Sequence, residues 1–521
     1  MIIRDVVVVG AGHNALVAAC YLARAGLDVE VVERDTVVGG ACSTVERWPG
    51  YRVDRGSSAH IMVRHTGIVE QLGLAECGLR YLDMDPWGYA PFGDEAITFH
   101  VDLERTCASI EAVCGERDAD AYHRFATTWA DLSEPVFDAF QRPPTGASVG
   151  RGLVRVNRRS PDGTAETTRR FLVPGDHLLD EHFGDERLKT ALAWLGAQSG
   201  PPTHEAGTGA LVGWNPLMHR VAPGRAVGGS GALSTALAER LRRSGGRLRL
   251  GDGARRITRA PSGRVDGVLT SGGDRIRSRA VLAGCHVLTT FGLLGDEWWL
   301  DRVRRAVRVG NGLGMAVRLG TRDLPRYPAA DGSDAPYSAM QLLAPSRTAL
   351  RRAYGEFAAG RTPSEPAVLA MTFSALDPGV APAGRHSVTL WAQWHPYELA
   401  GGERWDRIRD REAERIVGQV EKAAPGFAST IERVHVQTPV DLERELGLLR
   451  GNVMHVEMGL DAMFSLRPLP ELAGYRTPVP GLYLTGASTH PGGGVFGASG
   501  RSAAAVLTRD LRRPRWLRRR G

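Results

Sequence analysis

Residues 5–35 read "DVVVVGAGHNALVAACYLARAGLDVEVVERD", and this stretch decides the fold of the chain. Its apolar run at 6–9 predicts a strand that is buried on both faces. A helix is predicted from about residue 14 to residue 25, because Gly26 then ends it. The run Val29–Val32 predicts a second strand. This order of strand, glycine turn, helix and strand predicts a Rossmann-like unit.

Small residues at the first turn predict a dinucleotide-binding site. Gly10 allows a tight turn, Gly12 lets a pyrophosphate approach the backbone, and Ala15 keeps the helix close to the strand. The phosphates would lie at the helix N-terminus, where free N–H groups and the helix dipole favour an anion. Glu33 follows the second strand and is placed to accept a hydrogen bond from a ribose hydroxyl.

Two further glycine clusters favour FAD over NAD. The first, "VVGGACST" (37–44), comes soon after Glu33, where the chain of a flavin enzyme returns past the pyrophosphate towards the flavin. The second, "GASTHPGGGVFGASG" (486–500), separates a short strand at 482–485 from a helix predicted over 497–511. This second strand–glycine loop–helix unit is a candidate to hold the flavin half of FAD, although a plain surface loop before a terminal helix is the alternative.

The two ends of the chain together resemble the FAD-dependent phytoene desaturase and carotenoid isomerase superfamily. The resemblance is closest to the branch known in animals as pyridine nucleotide-disulfide oxidoreductase domain-containing proteins, which has near counterparts of "GAGHNALVAACYLARAG" (10–26), "FSALDPGVAPAGRHSV" (373–388) and "GLYLTGASTHPGGGVFGASGRSAAA" (481–505). It implies an α/β protein with a Rossmann-like FAD-binding domain of the glutathione-reductase type and a second substrate domain of mixed sheet and helices. It also places the family's adenine-flanking valine at Ala254.

Motifs and resemblance together define the predicted cofactor contacts. These are Gly10, Gly12, His13, Asn14, Ala15, Glu33, Arg34, Gly39, Gly40, Ala41, Ala254, Gly486, Ala487, His490, Gly492, Gly493, Gly494, Val495 and Phe496.

Two departures from related families limit the chemistry. Ala41 stands where phytoene desaturases and flavin amine oxidases usually carry an arginine. Cys42 has no second cysteine nearby until Cys77, and a redox disulfide needs two thiols close enough to bridge. We therefore expect no disulfide reductase activity. The sequence also shows no second, independent NAD domain, so we do not expect NAD(P)H to bind as it does in those reductases.

The chain divides into two discontinuous domains. We assign residues 1–90, 225–290 and 450–521 to the FAD-binding domain, and residues 91–224 and 291–449 to the substrate domain.

Two segments of the substrate domain carry local predictions. The polar, glycine-containing stretch 142–170 predicts a long loop or flap, and 403–424 predicts an amphipathic helix ended by Pro425 and Gly426.

Aromatic residues of the substrate domain and of the segment beside it are candidates to line an apolar tunnel. They are Trp194, Trp214, Trp391, Trp394, Tyr397 and Phe464. Each could equally belong to the core.

Three histidines are candidates to transfer a proton. His490 lies in the C-terminal glycine loop, His60 follows "GSSA", and His455 lies in "GNVMHVEM". Imidazole suits proton transfer near neutral pH, although each of these rings could instead satisfy backbone groups. No spacing typical of a metal site occurs.

These observations predict an FAD-dependent desaturase or dehydrogenase that removes a hydride and a proton from a hydrophobic small molecule, with conjugated molecules among the candidates. A flavin amine oxidase, a redox-neutral isomerase acting on reduced FAD, and an FAD-holding interaction protein without turnover are the alternatives.

Composition predicts where the protein acts. The 521-residue chain has a net charge of +7, yet only Lys189 and Lys422 among its 65 basic residues are lysines, so we attribute the charge to arginine usage and expect no nucleic-acid partner. Six scattered cysteines fit a reducing compartment. We expect a cytoplasmic protein without signal peptide or transmembrane helix.

The C-terminal tail suggests a peripheral contact. The stretch "RDLRRPRWLRRRG" (509–521) sets Trp516 and Leu517 among arginines, a pattern that can hold a protein weakly on an anionic membrane. A solvated terminus is the alternative.

Overall fold

The structure is a computed structural model that describes residues 3–159 and 162–512. The strands of the described residues are, in chain order, β1 (Ile3–Val9), β2 (Val29–Val32), β3 (Thr44–Trp48), β4 (Tyr51–Asp54), β5 (Tyr81–Asp83), β6 (Gly88–Phe92), β7 (Glu95–Phe99), β8 (Gly224–Ala226), β9 (Arg247–Arg249), β10 (Ala254–Arg259), β11 (Val265–Thr270), β12 (Arg275–Ala283), β13 (Gly312–Thr321), β14 (Met340–Leu343), β15 (Val368–Met371), β16 (His386–Pro396), β17 (Ile431–Gln437) and β18 (Leu482–Leu484).

The helices follow the same numbering. They are α1 (His13–Arg24), α2 (Ile68–Gln71), α3 (Leu103–Cys114), α4 (Glu116–Phe140), α5 (Gly146–Arg159), α6 (Gly163–Leu172), α7 (Gly175–His182), α8 (Glu186–Ala197), α9 (Gly209–Gly213), α10 (Gly231–Arg243), α11 (Val287–Leu294), α12 (Glu297–Ala306), α13 (Ala335–Ser338), α14 (Arg347–Ala358), α15 (Trp405–Ala423), α16 (Pro439–Leu446) and α17 (Ala498–Arg512).

The first sheet carries both predicted glycine loops. Its order is β10-β11-β12-β1-β2-β9, and β18 also pairs with β12. Strands β1, β2, β9, β12 and β18 are parallel to one another, because helices such as α1 return the chain to the same end of the sheet. The carboxyl ends of β1 and β18 therefore meet at one edge, and the loops at 10–12 and 486–497 leave the sheet there.

The second sheet has the order β17-β13-β16-β15-β14-β6-β7. Its pairs are antiparallel except for β6 with β14. One face packs against α15 around Ile416 and Val420, which are completely buried. The other face joins a large apolar cluster with the helices α3, α4, α7 and α8.

Close helix packing fixes the C-terminal loop against the first sheet. Helix α17 crosses α1 at Gly500, where a Cβ would stand 2.1 Å from the backbone oxygen of Asn14. On the same side of the sheet, α1, α10 and α17 share one apolar core. The small residues of α17 thus allow the close approach that brings the C-terminal loop to the N-terminal turn.

The α/β fold class is confirmed, with a Rossmann-like sheet and a second, mixed sheet. The division into domains stays a prediction, and strand β6 (Gly88–Phe92) of the second sheet crosses the boundary that we set at residue 90. The amphipathic helix predicted over 403–424 is confirmed as α15.

The prediction of a loop over residues 142–170 is wrong, because helices α5 and α6 occupy most of this segment. Apolar and small residues recur there at helical spacing and bury against α4: Val156 is 7% exposed, and Gly152 faces Ala139. Tertiary packing outweighs the polar composition of this segment.

Candidate functional site

The first turn leaves room for a phosphate group. Gly10 has a φ of +92°, a conformation that favours glycine, and it follows β1 directly. Gly12 caps α1, and a Cβ there would meet no heavy atom within 4 Å. Open space beside a glycine at a helix N-terminus fits a pyrophosphate.

The second glycine pair returns to this turn, as predicted for a flavin-binding chain. Gly39 donates its N–H to the backbone oxygen of Ala11 at 2.8 Å and forms a bridge with Gly12. A Cβ on Gly40 would stand 3.8 Å from the Cα of Gly12. Residues 10–12 and 39–40 therefore form one glycine-lined surface.

The predicted ribose and adenine residues lie at the same edge of the sheet. The carboxylate of Glu33 accepts hydrogen bonds from the N–H groups of Ala11 at 2.6 Å and Asp35 at 2.9 Å. The start of β10 lies alongside, since a Cβ on Gly253 would stand 2.7 Å from the Cβ of Arg34. The backbone that precedes Ala254 is thus beside Arg34, and an adenine contact at Ala254 stays a prediction. The donor set and the open glycine surface fit a dinucleotide.

A buried arginine holds the C-terminal glycine loop. Arg467 is completely buried and donates only to backbone oxygens, which belong to Met454, Val456, Glu457, Ala462 and Ala487. Burial without a carboxylate partner lowers the pKa of this guanidinium to about 9. Arg467 ties the segment 454–467 to the loop.

A cavity of about 350 Å³ lies between the glycine loops and the second sheet. Its lining includes His13 and Ala41 from the N-terminal unit, and Gly493, Val495 and Phe496 from the C-terminal loop. The structure therefore brings residues from both ends of the chain to one apolar space, which is where we expect a ligand to bind.

Alternate residues of neighbouring strands form the floor of this cavity. They are Ala316 and Arg318 of β13, Thr389 and Trp391 of β16, Leu369 and Met371 of β15, and Met340 of β14. The register places Arg318 opposite Thr389, and Thr389 opposite Met371. Side chains at every second position of a strand share one face, so this floor is one continuous sheet surface.

Of the three histidines predicted to transfer a proton, His455 is the one that lines the described cavity. Its Nδ1 lies 3.3 Å from the Ser488 hydroxyl, and its ring stacks on that of His286. Burial lowers the pKa of His455 well below the ordinary histidine value, so the ring is neutral at physiological pH.

The other two histidines lie behind the cavity wall. His60 pairs with the Tyr81 hydroxyl at 2.7 Å and with the Ser230 hydroxyl at 2.9 Å. His490 contacts the backbone oxygen of Ala139 at 3.2 Å. Burial lowers the pKa to about 3 for His60 and to about 4 for His490. Their geometry favours a structural role, and proton transfer by either residue stays a prediction.

His13 is a lining histidine that sequence reasoning assigned to cofactor binding alone. Its Nε2 lies 3.0 Å from the side-chain amide nitrogen of Asn14, and burial lowers its pKa to about 4. It stands at the start of α1, beside the open face of Gly12.

Two residues of the cavity lining have a strained backbone. His455 has a φ of +65° and Val495 a φ of +57°, in the left-handed region that β-branched residues rarely adopt. Both residues line the cavity, and strained backbone of this kind persists where the surrounding structure fixes it, commonly at functional sites.

The predicted aromatic tunnel is partly present. Trp214 and Trp391 line the cavity, together with Phe140 and Phe496. Trp194 and Trp394 instead belong to the core, with ring centroids 6.0 Å apart.

The last two aromatic candidates also lie outside the lining. Tyr397 packs against the Arg450 guanidinium, and Phe464 stacks on Phe140. Position on a strand face decides the role of each aromatic residue, and aromatic composition does not reveal that position.

Sequence reasoning missed Arg318 and Thr389. A signal was present: Arg318 interrupts the otherwise apolar run of β13, all ten residues of which are buried. An arginine inside such a run needs a specific reason, because an unpaired buried charge is costly.

Other expectations concern the surface and metals. No group of three His, Cys, Asp or Glu side chains among the described residues is arranged to hold a metal ion. No described helix combines the length and apolarity needed to cross a bilayer. The predicted membrane contact falls mainly on residues 513–521, which lie outside the described residues.

Known proteins are similar to the N-terminal segment of the chain and to the fold of nearly the whole chain. Residues 8–72 match the family model of the NAD(P)-binding Rossmann-like domain. The chain is similar to wild-type putrescine oxidase bound to putrescine, with a TM-score of 0.61 and 16% identity over 98% of both chains. At this identity the likeness shows the fold alone.

Sequence relatives cover nearly the whole chain. A limonene dehydrogenase component from Castellaniella defragrans is 27% identical over 97% of this chain and 95% of its own length. Phytoene dehydrogenase from Streptomyces griseus is 28% identical over 98% of this chain and 97% of its own. Pyridine nucleotide-disulfide oxidoreductase domain-containing protein 2 from Rattus norvegicus is 32% identical over 98% of this chain and 94% of its own. The chain is therefore an oxidoreductase that belongs to the family of the pyridine nucleotide-disulfide oxidoreductase domain-containing protein 2.

Proposed function

We propose that this protein is an FAD-dependent desaturase or dehydrogenase that removes a hydride and a proton from a hydrophobic small molecule. The observation that carries the proposal is the shared cavity, which both glycine loops and the face of the second sheet line together. A cofactor held by the loops would meet a substrate lying on the sheet.

The chain offers donors and space for each part of FAD. Gly10, Gly12, Gly39 and Gly40 would accept the pyrophosphate, and Glu33 the ribose. The loop at 486–496 would hold the flavin end. When bound, FAD would supply the acceptor for a hydride.

In this proposal His455 takes the matching proton. Its Nδ1 is paired with Ser488, while its Nε2 makes no hydrogen bond to the described residues. Burial lowers the pKa of the ring, which keeps it neutral but also makes it a weak base, so the role rests on the position of His455 in the cavity lining and not on its pKa. His13 is the second neutral imidazole in the lining.

The largely apolar floor of the cavity favours a hydrophobic substrate. Apart from Arg318 and Thr389, the floor consists of Ala316, Trp391, Leu369, Met371 and Met340. Two sequence relatives are named limonene dehydrogenase and phytoene dehydrogenase, which supports a substrate with a largely apolar body here.

A flavin amine oxidase is the second candidate, because the fold is similar to that of putrescine oxidase. The charges of the described cavity lining argue against an amine oxidase. No aspartate or glutamate lines the cavity there, and the charged side chain present is the guanidinium of Arg318. A protonated amine would be repelled by this charge.

Anaerobic mixing of the purified flavoprotein with candidate substrates tests the proposal. Conjugated or allylic hydrocarbons and their oxygenated derivatives should bleach the visible absorption of the flavin, while primary amines should not. Bleaching by amines alone would support the amine oxidase. Product formation without net bleaching would support the redox-neutral isomerase, and a dithionite-reducible flavin that no substrate bleaches would support the non-catalytic alternative.

A further inference from the structure

Arg318 is the charged side chain in the described lining of the cavity, and it lies on a floor that is otherwise largely apolar. Arg318 is 3% exposed, and its Nη1 donates to the Thr389 hydroxyl at 3.1 Å. It makes no ion pair with the described residues, although a guanidinium carries five N–H donors. Burial lowers its pKa to about 10, so it remains charged at neutral pH.

The carboxylates nearest in the fold are already engaged. Asp54 forms a buried ion pair with Arg225 and accepts hydrogen bonds from the Ser230 N–H and the Thr44 hydroxyl. Glu445 pairs with Arg47 at 3.8 Å and accepts from the amide of Gln437 at 3.1 Å. Neither group neutralises Arg318 directly.

The floor around Arg318 is polar at one end and apolar at the other. In the register of the sheet, Arg318 lies between Thr389 of β16 and His435 of β17. Further across the same face come Trp391, Leu369, Met371 and then Met340. A ligand lying on this face would place a polar end at β13 and an apolar body towards β14.

We propose that the substrate is an apolar molecule that carries a carboxylate, which Arg318 binds with the help of Thr389 while the apolar body lies along Trp391, Leu369 and Met371. This inference rests on the proposed function of the cavity. A carboxylate supplies the charge that the buried guanidinium lacks, and its two oxygens match the donor geometry of arginine.

Ligand binding without turnover tests this inference. Calorimetry and tryptophan fluorescence, to which Trp214 and Trp391 of the lining contribute, would follow the binding of decanoate and of decanamide to the holoprotein. The wild type should bind decanoate about tenfold to a hundredfold more tightly than decanamide, the value of one charge-assisted hydrogen-bonded contact.

Matched variants assign the preference to one side chain. Arg318→Gln should remove the preference by lowering the affinity for decanoate to about that for decanamide, while Arg318→Lys should keep most of the preference. Arg433→Gln, on the exposed side of β17, makes the same change of charge and should leave the preference intact. Thr389→Val should weaken it without removing the charge.

Three results would overturn the inference. They are equal binding of acid and amide by the wild type, a preference for decanoate that survives in Arg318→Gln, and an equal loss of the preference in the control Arg433→Gln. Failure of the proposed function is separate: a protein that prefers decanoate through Arg318 but whose flavin no substrate reduces would refute the redox role and leave the ligand assignment standing.

Discussion

Glu33 shows how a single residue can be placed by sequence and refined by structure. Its position at the end of β2 predicted a ribose contact, and the structure adds two backbone N–H donors that orient the carboxylate towards the glycine turn. The contact with a dinucleotide itself stays a prediction. Arg318 is the opposite case, because its role depends on the face of β13 that it occupies, which the sequence alone does not reveal.

Replacing Glu33 should weaken cofactor binding. Glu33→Ala removes a charge-assisted hydrogen bond, worth about 1.5–3 kcal/mol, so the affinity for FAD should fall about tenfold to a hundredfold. Glu30→Gln is the matched control on the same strand, because Glu30 pairs with Arg4 at 2.8 Å, away from the glycine turn. Titration of the apoprotein with FAD measures both variants, and equal affinities would show that Glu33 does not contact the ribose.

At the scale of elements, strand–turn–helix patterns were predictable and side-chain faces were not. Strands β1 and β2 and helix α1 follow from local apolar patterns and glycine stops, because each pattern is complete within a few residues. Helices α5 and α6 were missed, since their stability comes from packing against α4. The cavity floor was also missed, because it is formed by side chains from four strands that are distant in sequence.

Gly12 at the start of α1 and Gly500 of α17, which packs against α1, should respond differently to substitution by alanine. Gly12→Ala should fold normally, because Gly12 has a φ of −63° and a Cβ there meets no atom within 4 Å, but the methyl group should displace the pyrophosphate and lower the FAD content. Gly500→Ala should cost about 1–3 kcal/mol of stability, since its Cβ would stand 2.1 Å from the Asn14 oxygen. Thermal unfolding and flavin content of each purified variant check this, and full FAD content in Gly12→Ala would contradict it.

The ion pair between Arg225 of β8 and Asp54 of β4 should be a major local contribution to stability. Arg225 is 3% and Asp54 6% exposed, and Arg225→Met leaves a buried carboxylate without its cation. Such a change costs about 3–5 kcal/mol. The exposed pair of Arg304 with Asp301 is the control, for which Arg304→Met should cost about 0–1 kcal/mol. Chemical denaturation measures both, and a similar small loss in both variants would contradict the role of the buried pair.

At the scale of the whole molecule, buried neutral histidines link stability to pH. Burial lowers the pKa to about 3 for His60 and to about 4 for His13, His286, His395 and His490, from an ordinary value of 6.5. The unfolded chain therefore binds more protons than the folded one below pH 6.5. The stability from these residues is fully present above that pH and is lost as the pH falls towards the folded values.

Thermal unfolding as a function of pH checks this linkage. The melting temperature should fall between pH 7 and pH 5, a window in which carboxylates with pKa values lowered by arginine partners, such as those of Asp180 and Asp185, remain ionised. A melting temperature that is constant or that rises on acidification would contradict the burial of neutral histidines.

We propose that the two ends of the chain together hold one FAD. Release of the cofactor tests it most directly: the purified protein is precipitated with acid, and the supernatant and pellet are analysed for flavin by chromatography and mass. We expect about one FAD per chain, all of it in the supernatant, because no covalent link is predicted. Protein that contains no flavin, and that does not take up FAD when it is added, would contradict the claim; flavin that remains with the pellet would contradict non-covalent binding.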